Sequence, residues 1–583
     1  MFLKKCFNKK TGRTHLSISH GYRDHNGKSK HCVVKSLGYL DELQKEYDDP
    51  ITHFSKMAWE MDNKRLENKF LNIVLEADKR ITSDSNYRKN YGHVVFSKIY
   101  HELEVNRFLH NARRHKGFRY NSEAIMRLLV FSRLLYPCSK RASVINKKLF
   151  FDDFDFTLDD VYSALDHFSG ISESLQKHLH EQVTAQYGRT TDLVYYDVTN
   201  YYFETDKQDE LRRKGVSKEN RKDPIVQMGL LMDKAGLPIS YKLYPGNKHD
   251  SQTLMPMLTE VKRNFGVKRI ITVADKGLNS GDNIAYNTVF GDGYIYSKSI
   301  RGASEEFQSW ILDKKGYRSG ADGRKIKSRI VPDSSINITV GVARGKSIKK
   351  PYKLEQKQVV YYSEKYAERA RHMREEIIAK AMDMIANPGK YQRAIDYGAT
   401  GYISNLKINK ETGEILNGKE VLQLDTQRIA AEERFDGYYA LVTSELDDTD
   451  DHIINMYKGL WRIEESFKVI KSVLDARPIY LQTKDHINAH FLICFIALLI
   501  ARIVELRLGG KYNIARITET LRKVSCSHLD QNIWLFDYVD EITDEMNKVF
   551  GIDFGRKLMT LREIINNLGE SKKSTIIQQL PAK

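Results

Sequence analysis

Cysteine is scarce in this chain and never closely paired. Its 583 residues include only Cys6, Cys32, Cys138, Cys494 and Cys526, with no C-x-x-C among them. That removes the usual zinc-site spacing and argues against a disulfide framework, so reduced thiols in a reducing compartment are expected. A secretory leader is missing as well, because MFLKKCFNKK has no apolar core. Long apolar runs are rare. The most apolar stretch, FLICFIALLIA from Phe491, is bounded by His490 and Arg502 and falls well short of the roughly 20 residues that span a bilayer, so it should be a core helix. There is no internal repeat. A cytosolic protein with no membrane partner is expected, and in a bacterium it would meet the chromosome.

Net negative charge is also absent. The chain carries a formal charge of +17 with 29% charged and 41% hydrophobic residues, so a basic excess is superimposed on an ordinary globular composition. A polyanionic partner is favoured, and a basic but uninvolved surface is the competing reading. The length is that of roughly three to five domains.

The first 70 or so residues alternate in short segments, THLSISHGY and KHCVVKSLGYL, around the turn-rich HNGKSK, which reads as a hairpin. From about Ser83 to Tyr187 the pattern is helical. NSEAIMRLLVFSRLLYP has Asn121 or Ser122 as a cap and Pro137 as a stop, and TLDDVYSALDHF and SESLQKHLHEQVTAQYG continue the series. Strands then take over. DLVYYDVTNYYFE, PIVQMGLLMD and ISYKLYPGN form an antiparallel meander that turns at Ala235 and Gly236. The helix SQTLMPMLTEVKRNFG leads to the strand VKRIITVADKG, and GYIYSKS reads as another strand. Residues from about Gly302 to Phe435 look like an inserted module with a long helix, SEKYAERARHMREEIIAKAMDMI, amid strands and the turn KINKETGEIL. The strand YYALVTS and a helix starting near Asp451 resume the α/β pattern.

Three carboxylates stand out because each lies in apolar sequence rather than in a charge run. Asp197 is inside a strand, Asp275 ends one, and Glu464 is on a helix read from His452 to Leu474. On that helix Met456, Leu460, Ile463, Phe467, Ile470 and Leu474 follow three- and four-residue spacing and form a buried stripe. Tyr457, Trp461, Glu464, Lys468 and Lys471 repeat at i, i+4, i+7, i+11 and i+14 along an adjacent face. Alone, that face is equally a solvated one with an i,i+4 pair. Together with the strand acids it suggests convergence: three carboxylates repel one another unless cations intervene, and two divalent ions roughly 3.5–4 Å apart would neutralise them while gripping a phosphodiester. Magnesium suits an all-oxygen site, and manganese is its expected substitute. Strand alternation puts Tyr195, Asp197, Thr199 and Tyr201 on one face, which should open toward the cleft at least at its centre. Glu465 sits about 100° around the helix from Glu464. Glu204 and Asp206 read as solvent-facing, and His249 with Asp250 reads as a helix entry capped by Asp250 or Ser251 rather than a metal pair.

At these motifs the chain resembles the DDE transposases of bacterial insertion sequences, in the branch with a Y-x2-R-x3-E-x6-K signature. Tyr457, Glu464 and Lys471 match that spacing in YKGLWRIEESFKVIK, YYDVTN matches the first-acid strand with Thr199 two residues on, and VADKG matches the second-acid strand. PGNKHDSQT resembles the polar turn between them, and the likeness spans roughly Asp192 to Lys484. One position departs: the family's arginine falls on Leu460, and Arg462 points about 200° away from Glu464 on an ideal helix.

The resemblance implies an α/β fold, an RNase H-like mixed sheet with helices, interrupted by a mainly β insertion between Asp275 and Glu464. The intervening 188 residues exceed any direct connection. Six segments are expected: a β-rich region (1–75) that is a candidate DNA-binding element; a helical domain (76–188) for DNA binding or dimerisation; core segments 189–304 and 437–530 around an insertion (305–436); and a C-terminal helical region (531–583). The resemblance further implies that Asp197, Asp275 and Glu464 hold two magnesium ions. Tyr457, Trp461, Lys468 and Lys471 would contact DNA, with Trp461 stacking a displaced base or else packed against the insertion. A homodimer would bridge two element ends. A nuclease of the same fold without strand transfer and a non-catalytic DNA-binding descendant are the alternatives.

Overall fold

The structure, a computed structural model, describes residues 1–23, 28–68, 78, 80, 87–114, 116–215, 223–320, 322–343, 346–387, 397–408, 415–416, 422–477 and 479–573. Contacts divide the chain into one unit of Met1–Val161 with Ile503–Thr575 and another built on Tyr162–Arg502.

The second unit is organised by one mixed sheet. Strand β1 (Leu193–Tyr202) is rich in aromatic and β-branched residues and is buried nearly throughout, as a central strand must be. β2 (Ile225–Asp233) and β3 (Pro238–Pro245) continue it as the antiparallel meander expected. Gly236 takes the positive φ of +86° that the turn between them requires. On the other side β4 (Ile271–Ala274) and β5 (Gly293–Lys298) run parallel to β1. Helices α1 (Leu254–Phe265) and α2 (Gly281–Val289) cover one face, where Val194, Tyr196 and Val198 pack with Leu254, Met257, Leu258 and Ile284. The order β3-β2-β1-β4-β5 is an RNase H-like mixed sheet.

The insertion departs from its expected form. Its two long strands, β6 (Lys325–Ala343) and β7 (Lys346–Tyr362), extend the core sheet, because β7 pairs with β8 (Tyr438–Thr443) and β8 pairs with β5. β8 would otherwise expose an unpaired edge. Helix α3 (Glu364–Ala386) makes the insertion mixed rather than mainly β. In KINKETGEIL, Lys407–Ile408 pairs with Ile415–Leu416, and the turn between them lies outside the described residues.

In the first unit, strands Arg13–Arg23 and Ser29–Tyr39 form the expected hairpin, with its tip outside the described residues, and Phe2–Asn8 adds a third strand that the sequence pattern did not reveal. Asn121 caps helix Ser122–Leu135 by accepting from the Ala124 amide at 3.3 Å. Leu158–Tyr187, most of it in the second unit, is one helix rather than the two segments the pattern suggests. The C-terminal region is not purely helical: Ile533–Phe536 and Leu558–Thr560 join Ser525–His528 and Arg88–Asn90 in a four-stranded sheet. Strands of three or four residues are too short to show periodicity. The apolar helix Lys484–Arg507 passes a membrane-span test by length and composition, but 94% of its most apolar window is buried in protein, as expected of a core helix.

Candidate active site

The parallel register of β1 and β4 governs the two strand acids. Leu193 pairs with Ile271, Val194 with Thr272 and Tyr195 with Val273. The ladder ends there, and Asp197 lies two residues beyond Tyr195 as Asp275 lies two beyond Val273, so the period of two gives both acids the face of that last pair. Along that face Tyr195, Thr199 and Tyr201 are buried and Asp197 is half-buried, so the strand opens only at its centre. Asp197 Oδ1 accepts from the Val198 amide at 2.7 Å. Asp275 is exposed, and its Oδ1 accepts from Ser297 Oγ of β5 at 2.7 Å and from the Tyr457 hydroxyl at 3.4 Å.

The helix of the third acid is not continuous. α4 (Asp450–Lys458) and α5 (Trp461–Lys468) are separated by Gly459 and Leu460, and Val469–Val473 form a π-helical turn. The cause lies beneath it. A Cβ on Gly459 would stand 1.8 Å from the Tyr195 hydroxyl oxygen, so the backbone presses directly onto β1. Through the junction the amides of Leu460, Arg462 and Ile463 bond three residues back. The buried stripe is nevertheless intact: Met456, Leu460, Ile463, Phe467, Ile470 and Leu474 are all buried. On the adjacent face Glu464 and Lys468 are exposed, Trp461 is 55% exposed, and Tyr457 and Lys471 are half-buried. The π turn carries Lys471 over β1, with its ammonium 5.5 Å from the Tyr201 ring centre. Arg462 lies against Gly236 in the β2–β3 turn and 5.4 Å from the Trp461 ring.

One phenol feels both the helix acid and one strand acid. The Tyr439 phenol is raised by burial first, and the charges of both Asp275 and Glu464 raise it further. It stacks on Tyr361 with ring centres 5.5 Å apart and meets Tyr366 at 5.2 Å. Burial raises the Tyr457 phenol above its ordinary value; the Ser297 hydroxyl lowers it and the Asp275 charge raises it again, so the group remains a hydrogen-bond donor. The sequence pattern singles out neither Ser297 nor Tyr439. The trace of Tyr439 there is the aromatic density of GYYALV.

Among the described residues no three His, Cys, Asp or Glu side chains come close enough to hold a metal ion together. Asp197 and Asp275 share a face, but with Glu464 they do not close into one cluster. The donors present are all carboxylate oxygens, which fit magnesium or manganese rather than zinc. His249 caps a short turn by accepting from the Ser251 amide at 3.3 Å, in place of the Asp250 or Ser251 cap expected.

Two family models match the chain. A family model described as "Transposase DDE domain" matches residues 192–500, more than half of the chain, and one described as "IS1634 family transposase, N-terminal domain" matches residues 3–70. A search of curated proteins found no match.

Proposed function

This chain belongs to the DDE transposases of bacterial insertion sequences, and from that premise we propose that it binds the ends of its element, cuts the DNA there and joins the freed 3′ ends to a target. The observation that supports the reading is the β1–β4 register, whose last pair, Tyr195 with Val273, shares its face with Asp197 and Asp275 two residues on, the face against which Tyr457 and Gly459 pack. Asp197, Asp275 and Glu464 are the metal-holding acids. Bound magnesium, or manganese in its place, would lower the pKa of the attacking hydroxyl and stabilise the leaving oxygen.

The chain's own groups do the positioning. Ser297 and Tyr457 fix the orientation of the Asp275 carboxylate by donating to its Oδ1. Tyr457, kept protonated, and Lys471, as a point charge over β1, orient a phosphate near the scissile bond. Lys468 meets the backbone further along the exposed face, and the open indole of Trp461 stacks a displaced base. The basic excess supports DNA as partner. Residues 1–75 and 76–188 are the regions we assign to end recognition or dimerisation, in a homodimer that pairs two ends at the bacterial nucleoid in the cytoplasm.

The test is cutting of DNA that carries the element's terminal repeats, with magnesium. Asp197→Asn should abolish cutting and leave end binding nearly intact. Wild-type rates in that variant would remove Asp197 from the chemistry, and fragments never joined to a target would reduce the activity to hydrolysis.

A further inference from the structure

The extended sheet has a second chemistry-bearing face. Along the β7–β8 ladder Tyr361 pairs with Tyr439 and Tyr362 with Tyr438, and alternation turns these pairs to opposite sides. Tyr439 belongs to the side of the acids, whereas Tyr362 and Tyr438 line a cavity of about 780 Å³ on the other side, with Tyr317. Ring centres of Tyr438 lie 4.9 Å from Tyr362 and 6.2 Å from Tyr317. The hydroxyls of Tyr362 and Tyr317 are engaged by Glu364 and the Ile311 carbonyl, so these residues offer ring surface rather than hydrogen bonds.

The charges around the rings do not cancel. Two of the cavity's acids are paired, Asp436 with Arg374 and Arg301 and Glu433 with Arg374, whereas Glu364 accepts only from the neutral Tyr362 hydroxyl and keeps its charge. Arg318 is held by Asp450 and Asp451. Lys314, Lys325, Arg371 and Arg434, by contrast, have no carboxylate partner among the described residues, and Lys325 lies 5.9 Å from the Tyr362 ring centre. Four cations against the single charge of Glu364, among the described residues, leave a positive excess around three phenol rings that suits a ligand with a flat π-face and a phosphate. The volume falls in the range of small-ligand sites and is too small for a duplex.

We propose that this cleft binds a nucleotide unit, with its base on the Tyr362–Tyr438 surface and its phosphate among Lys325, Arg371 and Arg434. The unit is contributed either by an unpaired DNA strand or by a free nucleotide. Binding there uses none of the three acids and needs no metal, so it stands or falls separately from the cutting reaction.

The test uses the full-length wild-type chain in EDTA with a short oligothymidylate carrying 5-iodouracil, photocrosslinked and mapped by mass spectrometry. Adducts on Tyr317, Tyr362 or Tyr438 are expected. The exposed double variant Arg371→Ala/Arg434→Ala should fold normally, as a thermal melt would verify, and bind the oligonucleotide roughly tenfold more weakly. Displacement by thymidine monophosphate at micromolar concentration would identify a free-nucleotide site, and failure to displace would identify a strand site. Adducts confined to other residues, or unchanged affinity in the double variant, would overturn the proposal.

Discussion

Gly459→Ala is the most exacting test of how the helix sits on the sheet. Gly459 has φ −61° and ψ −14°, which alanine adopts freely, and by helix propensity alone the change would stabilise by about 1 kcal/mol. Only the contact opposes it. The added Cβ would meet the Tyr195 hydroxyl oxygen at 1.8 Å and Cζ at 2.4 Å. Restoring ordinary van der Waals separation needs a displacement of about 1.5 Å between the junction and β1. Overpacking of this kind costs roughly 1–3 kcal/mol, so after the propensity gain a net destabilisation of up to about 2 kcal/mol is expected in urea unfolding. The larger effect should be kinetic. Glu464 lies five residues on, and misplacement by about 1 Å reduces a positioned reaction about 100-fold, which single-turnover cutting of end DNA would read. Tyr195→Phe removes the nearest atom but leaves Cζ, so in the double variant it should restore part of the rate. A Gly459→Ala protein with wild-type stability and rate would refute the close approach.

Three further outcomes follow from named contacts. Arg189 and Asp233 form a fully buried pair at 2.8 Å, and Asp233 also accepts from the Ala235 and Leu237 amides, so Asp233→Ala should cost about 3–5 kcal/mol in urea unfolding; a loss below about 1 kcal/mol would contradict the pairing. Burial alone would raise the Asp450 carboxyl, but hydrogen bonds from Arg318, Ser328 and Lys357 outweigh it and hold it low. Its stabilising contribution is therefore present above the unfolded carboxylate value near pH 4 and lost as pH falls through the lower folded value, so Asp450→Asn should flatten the acid limb of a stability-pH curve. Lys471→Ala should weaken end binding and reduce its logarithmic salt slope by about one, whereas an unchanged slope would remove the phosphate contact.

Local pattern made much of this architecture legible before any coordinates. Three- and four-residue spacing assigns six residues from Met456 to Leu474 to the buried stripe and all six are buried, and alternation identifies the face that Asp197 shares with Tyr195, Thr199 and Tyr201. What escaped depends on partners distant in sequence. Nothing near Gly459 reveals that Tyr195 lies beneath it, so the helix read as unbroken. Ser297 reaches Asp275 only because β5 pairs in register with β4. β6 and β7 read as a separate module because their attachment depends on the edge of β8, about 80 residues later. The four-stranded sheet of the first unit is built from segments of three or four residues at opposite ends of the chain, where no period can develop.

The central claim is that Asp197 and Asp275, with Glu464, hold the metal that cuts DNA. A crystal of the protein with its end DNA and Mn2+, measured at the manganese absorption edge, tests it directly. Anomalous peaks about 2.1 Å from carboxylate oxygens of both Asp197 and Asp275 are predicted. Manganese bound elsewhere, with the two aspartates turned to opposite faces of the sheet, would contradict it.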